Sequence, residues 1–165
     1  MAERPASAEG RKGSGSGASG QEWYRDGLRF ECTMCGNCCT GPEGVVWFSR
    51  EEGRAMAAEL GVAESDFYRD FARTVDNRWS LRERELEDGR RDCILLDRAS
   101  VPGKVVCGVY RARPTQCRTW PFWAENLASR RAWEAAKRRT PCPGMDQGAL
   151  VPIERIRIQR DSTPE

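Results

Sequence analysis

Cys32, Cys35, Cys38 and Cys39 place four thiols within the eight residues Cys32-Thr33-Met34-Cys35-Gly36-Asn37-Cys38-Cys39. A core needs volume, and this run supplies mostly sulfur, so packing does not account for it. Thiolates are the preferred ligands of Zn²⁺ and of iron in Fe–S clusters. Two ligands separated by two residues let one tight turn aim both sulfurs at the same point. Gly36 suits such a turn because it takes φ > 0 without a Cβ clash. The turn also points successive backbone N–H groups at the sulfurs and stabilises their negative charge. A third Cys repeats the spacing, and Cys39 follows Cys38 directly. Adjacent side chains diverge, so these two sulfurs are expected to serve different metals, or different atoms of one cluster. The repeated spacing pairs Cys38 with Cys32 and Cys35.

The remaining thiols are Cys93, Cys107, Cys117 and Cys142. Cys107 and Cys117 bracket a segment in which Pro114 suits the first turn of a short helix. That helix would lift Cys117 back towards Cys107. Cys142 stands in a Cys-Pro-Gly turn. All eight cysteines are therefore candidate ligands, divisible into two sets of four. Arg113 and Arg118 flank Cys117 and are candidate cofactor-site residues. They can offset thiolate charge by charge-assisted hydrogen bonds, recognise a carboxylate or phosphate, or simply pair with surface acids. Trp120, Phe122 and Trp123 are expected to wall the site from water.

The chain contains no His, which excludes imidazole ligands. A Cys₄ zinc site is closed and contributes to folding. A [4Fe–4S] cluster also takes four thiolates. The run C-x₂-C-x₂-C with a remote Cys-Pro, here Cys142-Pro143, is similar to the bacterial ferredoxin arrangement, at far greater separation. Spacing leaves zinc and iron both open.

Composition narrows the class. The 165 residues suit one domain, with 39% hydrophobic and 32% charged residues and a correspondingly modest core. The net charge of +2 makes no strong case for nucleic acid. No stretch approaches the roughly 18 apolar residues of a membrane span. Eight cysteines, about 5% of the chain, fall below the roughly 8–10% of a secreted disulfide scaffold. Residues 1–20 are polar throughout and carry no export signal. A cytoplasmic metal-binding protein is expected, where clustered thiols serve metals more often than disulfides.

The elements that position these thiols follow from local pattern. Residues 1–20 read as a disordered Gly/Ser-rich tail, and 21–160 as the cysteine-cluster domain. Leu28–Cys32 is an extended lead-in. Val45–Phe48 reads as strand or extended core. Ser49 and Glu52 form a capping box for a helix over Arg50–Leu60, ended by Gly61. A second helix is expected over Glu64–Thr74, with Phe67 and Phe71 one turn apart. Alternation then predicts strands from Val75 to Leu96 with a turn at Asp88-Gly89. Lys104–Tyr110 reads as a third strand, so that one small antiparallel sheet delivers Cys93 and Cys107. A helix is predicted over Asn126–Arg138 and a terminal helix or strand over Val151–Ile158. The fold class is α+β: a small mixed domain of short helices and a small antiparallel sheet assembled around a cysteine-rich metal site.

The pattern Cys32-x-x-Cys35-Gly36-x-Cys38-Cys39, with Cys107-x-Val109-Tyr110-x-x-Arg113-Pro114-x-x-Cys117-Arg118, resembles the bacterial YkgJ-like, or CxxCxxCC, cysteine-cluster family. Trp120-Pro121-Phe122 and Cys142-Pro143-Gly144 extend the resemblance, which covers roughly residues 28–148. It implies chelation of zinc or iron. Flagellin lysine N-methylases carry a similar cysteine domain, which adds an alternative: an iron–sulfur enzyme using S-adenosylmethionine.

Overall fold

The computed structural model describes residues 22–163; the expected tail over 1–20 lies outside them. The architecture is α+β, with short helices and several small antiparallel sheets rather than one. β1 (Leu28–Phe30) leads to the cysteine run, a 3₁₀ turn covers Asn37–Cys39, and β2 (Thr40–Gly41) leaves it. α1 (Arg50–Leu60) begins at the expected capping box. Ser49 accepts from the Glu52 backbone N–H, and the Glu52 side chain accepts from the Ser49 N–H. Gly61 ends it at φ 70°, in the left-handed region that glycine adopts most readily.

α2 (Glu64–Phe71) is shorter than the sequence predicts. β3 (Ala72–Val75) and β4 (Arg78–Leu81) pair instead as a hairpin. Asp76 and Asn77, at φ 48° and 58°, form its two-residue turn, a role that Asp and Asn fill through their tolerance of positive φ. The tight turn lets Ala72–Val75 find a partner, and pairing overrides helical propensity there. β5 (Glu83–Glu85) and β6 (Arg91–Cys93) form the hairpin expected at Asp88-Gly89, and β2 adds to β6. β7 (Leu96–Asp97) pairs β8 (Val106–Cys107) in a separate two-stranded ribbon. Cys93 and Cys107 thus arrive on different sheets.

α3 (Thr115–Arg118) carries Cys117 and starts directly after Pro114. The single helix expected over Asn126–Arg138 is two, α4 (Ala124–Leu127) and α5 (Arg130–Arg139). Ser129 caps α5 by accepting from the Ala132 N–H, so a polar side chain stops one helix and starts the next. β9 (Met145–Val151) pairs with β1, and α6 (Ile153–Ser162) closes the described chain.

Two hydrophobic clusters result. One joins Tyr24, Leu28, Trp120, Phe122, Trp133 and Ile156, with Cys142 packed against it. Phe122 lies in this core, stacked on Trp133 and edge-on to Phe30. The other joins Phe48, Met56, Phe67, Leu81 and Val109, with Cys93 and Cys107 packed against it. The cysteines therefore draw on both cores.

Candidate metal centre

The cysteine turn is held from three sides. Gly36 takes φ 75°, as the run requires, and a Cβ there would meet Val105 Cγ1 at 2.6 Å. Val105 N–H donates to Met34 O at 3.0 Å. Asn37 Nδ2 donates to Pro141 O at 2.6 Å, tying the turn to the Cys142 loop. Glu31 N–H donates to Gly144 O at 3.1 Å, which sets Cys32 beside that same loop. A Cβ on Gly144 would stand 1.6 Å from Glu31 O, so this approach needs glycine.

The next two thiols flank a strand pair: Cys39 directly precedes β2, and Cys93 ends β6. Thr40, after Cys39, faces Asp92, before Cys93, in the strand register. Asp92 is 2% exposed. It accepts from Thr40 Oγ1 at 2.7 Å and from Arg98 Nε and Nη2 at 2.8 and 2.7 Å. These charge-assisted bonds hold its carboxyl below the ordinary carboxylate range. Next to this clamp, Cys39 and Cys93 line a cleft of about 310 Å³, which Cys38, Cys117, Trp120 and Trp123 also line.

The sulfurs of Cys38 and Cys39 lie 3.7 Å apart. The expected divergence of these neighbours is not what the 3₁₀ turn produces. Their shared hydrogen bond draws the Cys38 thiol down to about 7 and raises that of Cys39. Burial raises Cys117, with Cys93, Cys38 and Cys107 close enough to add to the effect. Burial pushes Cys93 up to about 11 and also raises Cys107. Burial is the main cause of these rises, and the neighbouring thiols add to it as potential like charges. Cys38, Cys39, Cys93 and Cys117, from three segments, line one cleft, and Cys107 lies near Cys38 and Cys117. Cys142, raised by burial, has Cys35 and Cys38 as its sulfur neighbours. Cys32 is exposed and adjoins the Cys142 loop through Glu31.

Three of the sulfurs share a local motif. The backbone N–H two residues on favours the thiolate in each case: Leu95 for Cys93, Val109 for Cys107 and Gly144 for Cys142. Oriented amides of this kind suit a metal-bound thiolate. Trp120 Nε1 is buried and makes no hydrogen bond of normal geometry among the described residues, yet it lies near enough to the Cys142 sulfur to favour its thiolate. An all-sulfur donor set with N–H groups turned on it fits zinc or iron. Among the described residues, no three Cys, Asp or Glu side chains already stand in the arrangement of a finished metal site.

The two arginines divide. Arg113 lies close enough to Cys38, Cys107 and Cys117 to favour their thiolates. Its guanidinium stacks 3.9 Å from the Tyr110 ring centroid, and Nε donates to Tyr110 O. Arg118 is occupied elsewhere, donating to Thr115 Oγ1 at 2.8 Å and facing Glu52 at 3.7 Å. Trp120 and Trp123 line the cleft as expected, whereas Phe122 supports it from the core. Asp92, Thr40 and Arg98 carry no mark in the sequence, because nothing in an Asp shows that it will be buried beside a thiol or which Thr and Arg will clamp it.

Fold and site together define a small α+β cysteine-rich protein, with Cys142 packed against one core and Cys93 and Cys107 against the other. The chain belongs to the CxxCxxCC family, described as a "putative zinc- or iron-chelating domain", which matches residues 31–143. No solved structure matches the chain. No helix among the described residues is long and apolar enough to cross a membrane.

Proposed function

We propose that the protein binds zinc or iron through Cys32, Cys35, Cys38, Cys39, Cys93, Cys107, Cys117 and Cys142. The observation that supports this reading is one cleft lined by Cys38, Cys39, Cys93 and Cys117 from three segments of the chain, with Cys107 nearby. Cys142 and Cys35 adjoin them, and Cys32 follows in sequence from the Glu31–Gly144 contact. All eight thiols are free, in keeping with a reducing cytoplasm. Bound as Zn²⁺, the metal supplies a structural cross-link; bound as a [4Fe–4S] cluster, it supplies electron transfer. The residues of this chain position the sulfurs through the Asp92 clamp and the Gly36 turn. Arg113 supplies positive charge, and Trp120 and Trp123 shield the cleft from water.

The size of the cleft favours a second reading. About 310 Å³ exceeds what an ion needs and reaches the lower end of small-ligand pockets. Room therefore exists for a cofactor such as S-adenosylmethionine beside an open iron position.

Anaerobic purification followed by metal analysis, visible absorption and electron paramagnetic resonance tests both readings. Stoichiometric zinc or iron, lost when Cys93 and Cys117 are replaced by Ser, is the expected result. A fully reduced protein that takes up neither metal overturns the proposal. A spectral change on adding S-adenosylmethionine would select the second reading.

A further inference from the structure

Tryptophans in the core around the cleft satisfy their indole N–H groups. Trp23 Nε1 donates to Leu127 O at 2.7 Å, Trp123 Nε1 to Gln116 O at 2.9 Å, and Trp133 Nε1 to Asp146 Oδ1 at 2.9 Å. Trp120 differs. It is 7% exposed, and its buried Nε1 makes no hydrogen bond of normal geometry among the described residues. A buried polar group left unpaired costs about 1–3 kcal/mol, so the position calls for a partner. The ring cannot easily turn to find one, because it packs edge-on to Trp123 with centroids 4.9 Å apart. Cys142 packs against the same core cluster that holds Trp120, with the indole N–H on the side of its sulfur, while the Trp120 ring also lines the cleft of Cys38, Cys39, Cys93 and Cys117. A neutral thiol sulfur is a weak acceptor, whereas a thiolate is a strong one.

We propose that the Trp120 indole N–H is the hydrogen-bond donor to the Cys142 sulfur in the metal-loaded protein. Trp120 is then a positioning residue: it orients this ligand and lowers the electron density on its sulfur. The inference rests on the chelation reading and assigns within it the partner of one ligand. The Gly144 N–H approaches the same sulfur from the backbone side, so Cys142 would receive two donors.

The test uses Co²⁺ titration of the full-length reduced protein, followed through the sulfur-to-cobalt charge-transfer band. Trp120→Phe keeps an aromatic ring and removes the donor. Its affinity for Co²⁺ should fall about tenfold, as for other partners of metal-bound side chains. Its charge-transfer band should move to lower energy, because a sulfur relieved of a hydrogen bond gives up electrons more readily. Trp133→Phe is the packing control: it thins the same core and breaks a hydrogen bond, but lies outside the cleft. It should lower the melting temperature of the metal-free protein while leaving the band in place. An unmoved band and affinity in Trp120→Phe overturn the inference, as does an equal shift in Trp133→Phe. Absence of any band in the unmodified protein overturns the chelation reading itself, and this inference with it.

Discussion

The sulfurs of Cys38 and Cys39 stand 3.7 Å apart, which is close to the edge of a tetrahedron of sulfurs around one metal. Bonds of about 2.3 Å at tetrahedral angles give an edge of about 3.8 Å. The 3₁₀ turn thus presents adjacent residues as a ready pair for one ion. We expect Cys38→Ser and Cys39→Ser to lose the same equivalent of metal. The double variant should then lose no more than the worse single, since residues acting on one ion are not additive. Additive losses in metal analysis would assign the two sulfurs to different ions.

Arg113 and Arg118 should separate cleanly. Metal uptake displaces thiol protons, so affinity rises with pH. Arg113 favours the thiolates of Cys38, Cys107 and Cys117. Removing its charge raises those thiols, and the pH midpoint of uptake in Arg113→Gln should move upward by a fraction of a unit. Arg118→Gln should leave the midpoint alone, because its partners are Thr115 and Glu52. A pH series of zinc titrations checks both, and an equal shift in the two variants would rule out a specific role for Arg113.

The Asp92 clamp makes an acid-dependent contribution to stability. Hydrogen bonds from Arg98 and Thr40 hold the Asp92 carboxyl below its ordinary value of 3.8. A depressed carboxyl stabilises the fold above the unfolded value, and the effect is lost as pH falls through the folded value. Arg98 is half exposed, so solvent screens part of the attraction. Asp92→Asn should cost about 2 kcal/mol at pH 7 and progressively less below pH 4. Denaturant melts at the two pH values measure the difference. A cost that persists unchanged in acid would mean that packing, and not charge, is what Asp92 provides.

Metal removal should loosen the junction between the cores. Cys142 packs against one cluster, and Cys93 and Cys107 pack against the other, so shared ligation would cross-link them. Metal held at a hundred times its Kd contributes about 2.7 kcal/mol. At about 2–4 °C per kcal/mol, the melting temperature should fall by roughly 5–10 °C on chelation under reducing conditions. Hydrogen exchange should quicken first in residues 107–123, where α3 presents Cys117. Unchanged melting after verified metal loss would show that the two cores dock without the metal.

Much of this was legible along the chain, and unevenly so. The α1 boundaries were readable because a capping box and a terminal glycine act within one turn of helix. The Gly36 turn was readable because positive φ is a local steric demand. The β3–β4 hairpin was not. Its strands gain only by pairing with each other and with the core, and Ala72–Val75 looks helical until that partner exists. The break at Ser129 is a similar case: a cap is visible in sequence only when one already suspects a helix start.

The chemistry of the site belongs to the sequence alone. Eight thiols and no imidazole leave sulfur and carboxylate oxygen as the side-chain donors on offer, whatever the fold, because ligand type is a property of the side chain. Tertiary structure decided which sulfurs meet. Cys39 and Cys93 are neighbours because Thr40 pairs with Asp92 across two strands. Glu31, next to Cys32, meets the Cys142 loop because only a glycine at position 144 admits so close an approach. Trp120 became a candidate donor only once burial left its N–H without a hydrogen bond of normal geometry among the described residues. Contacts of this kind join residues about 50 to 110 positions apart, and they depend on packing that no local pattern encodes.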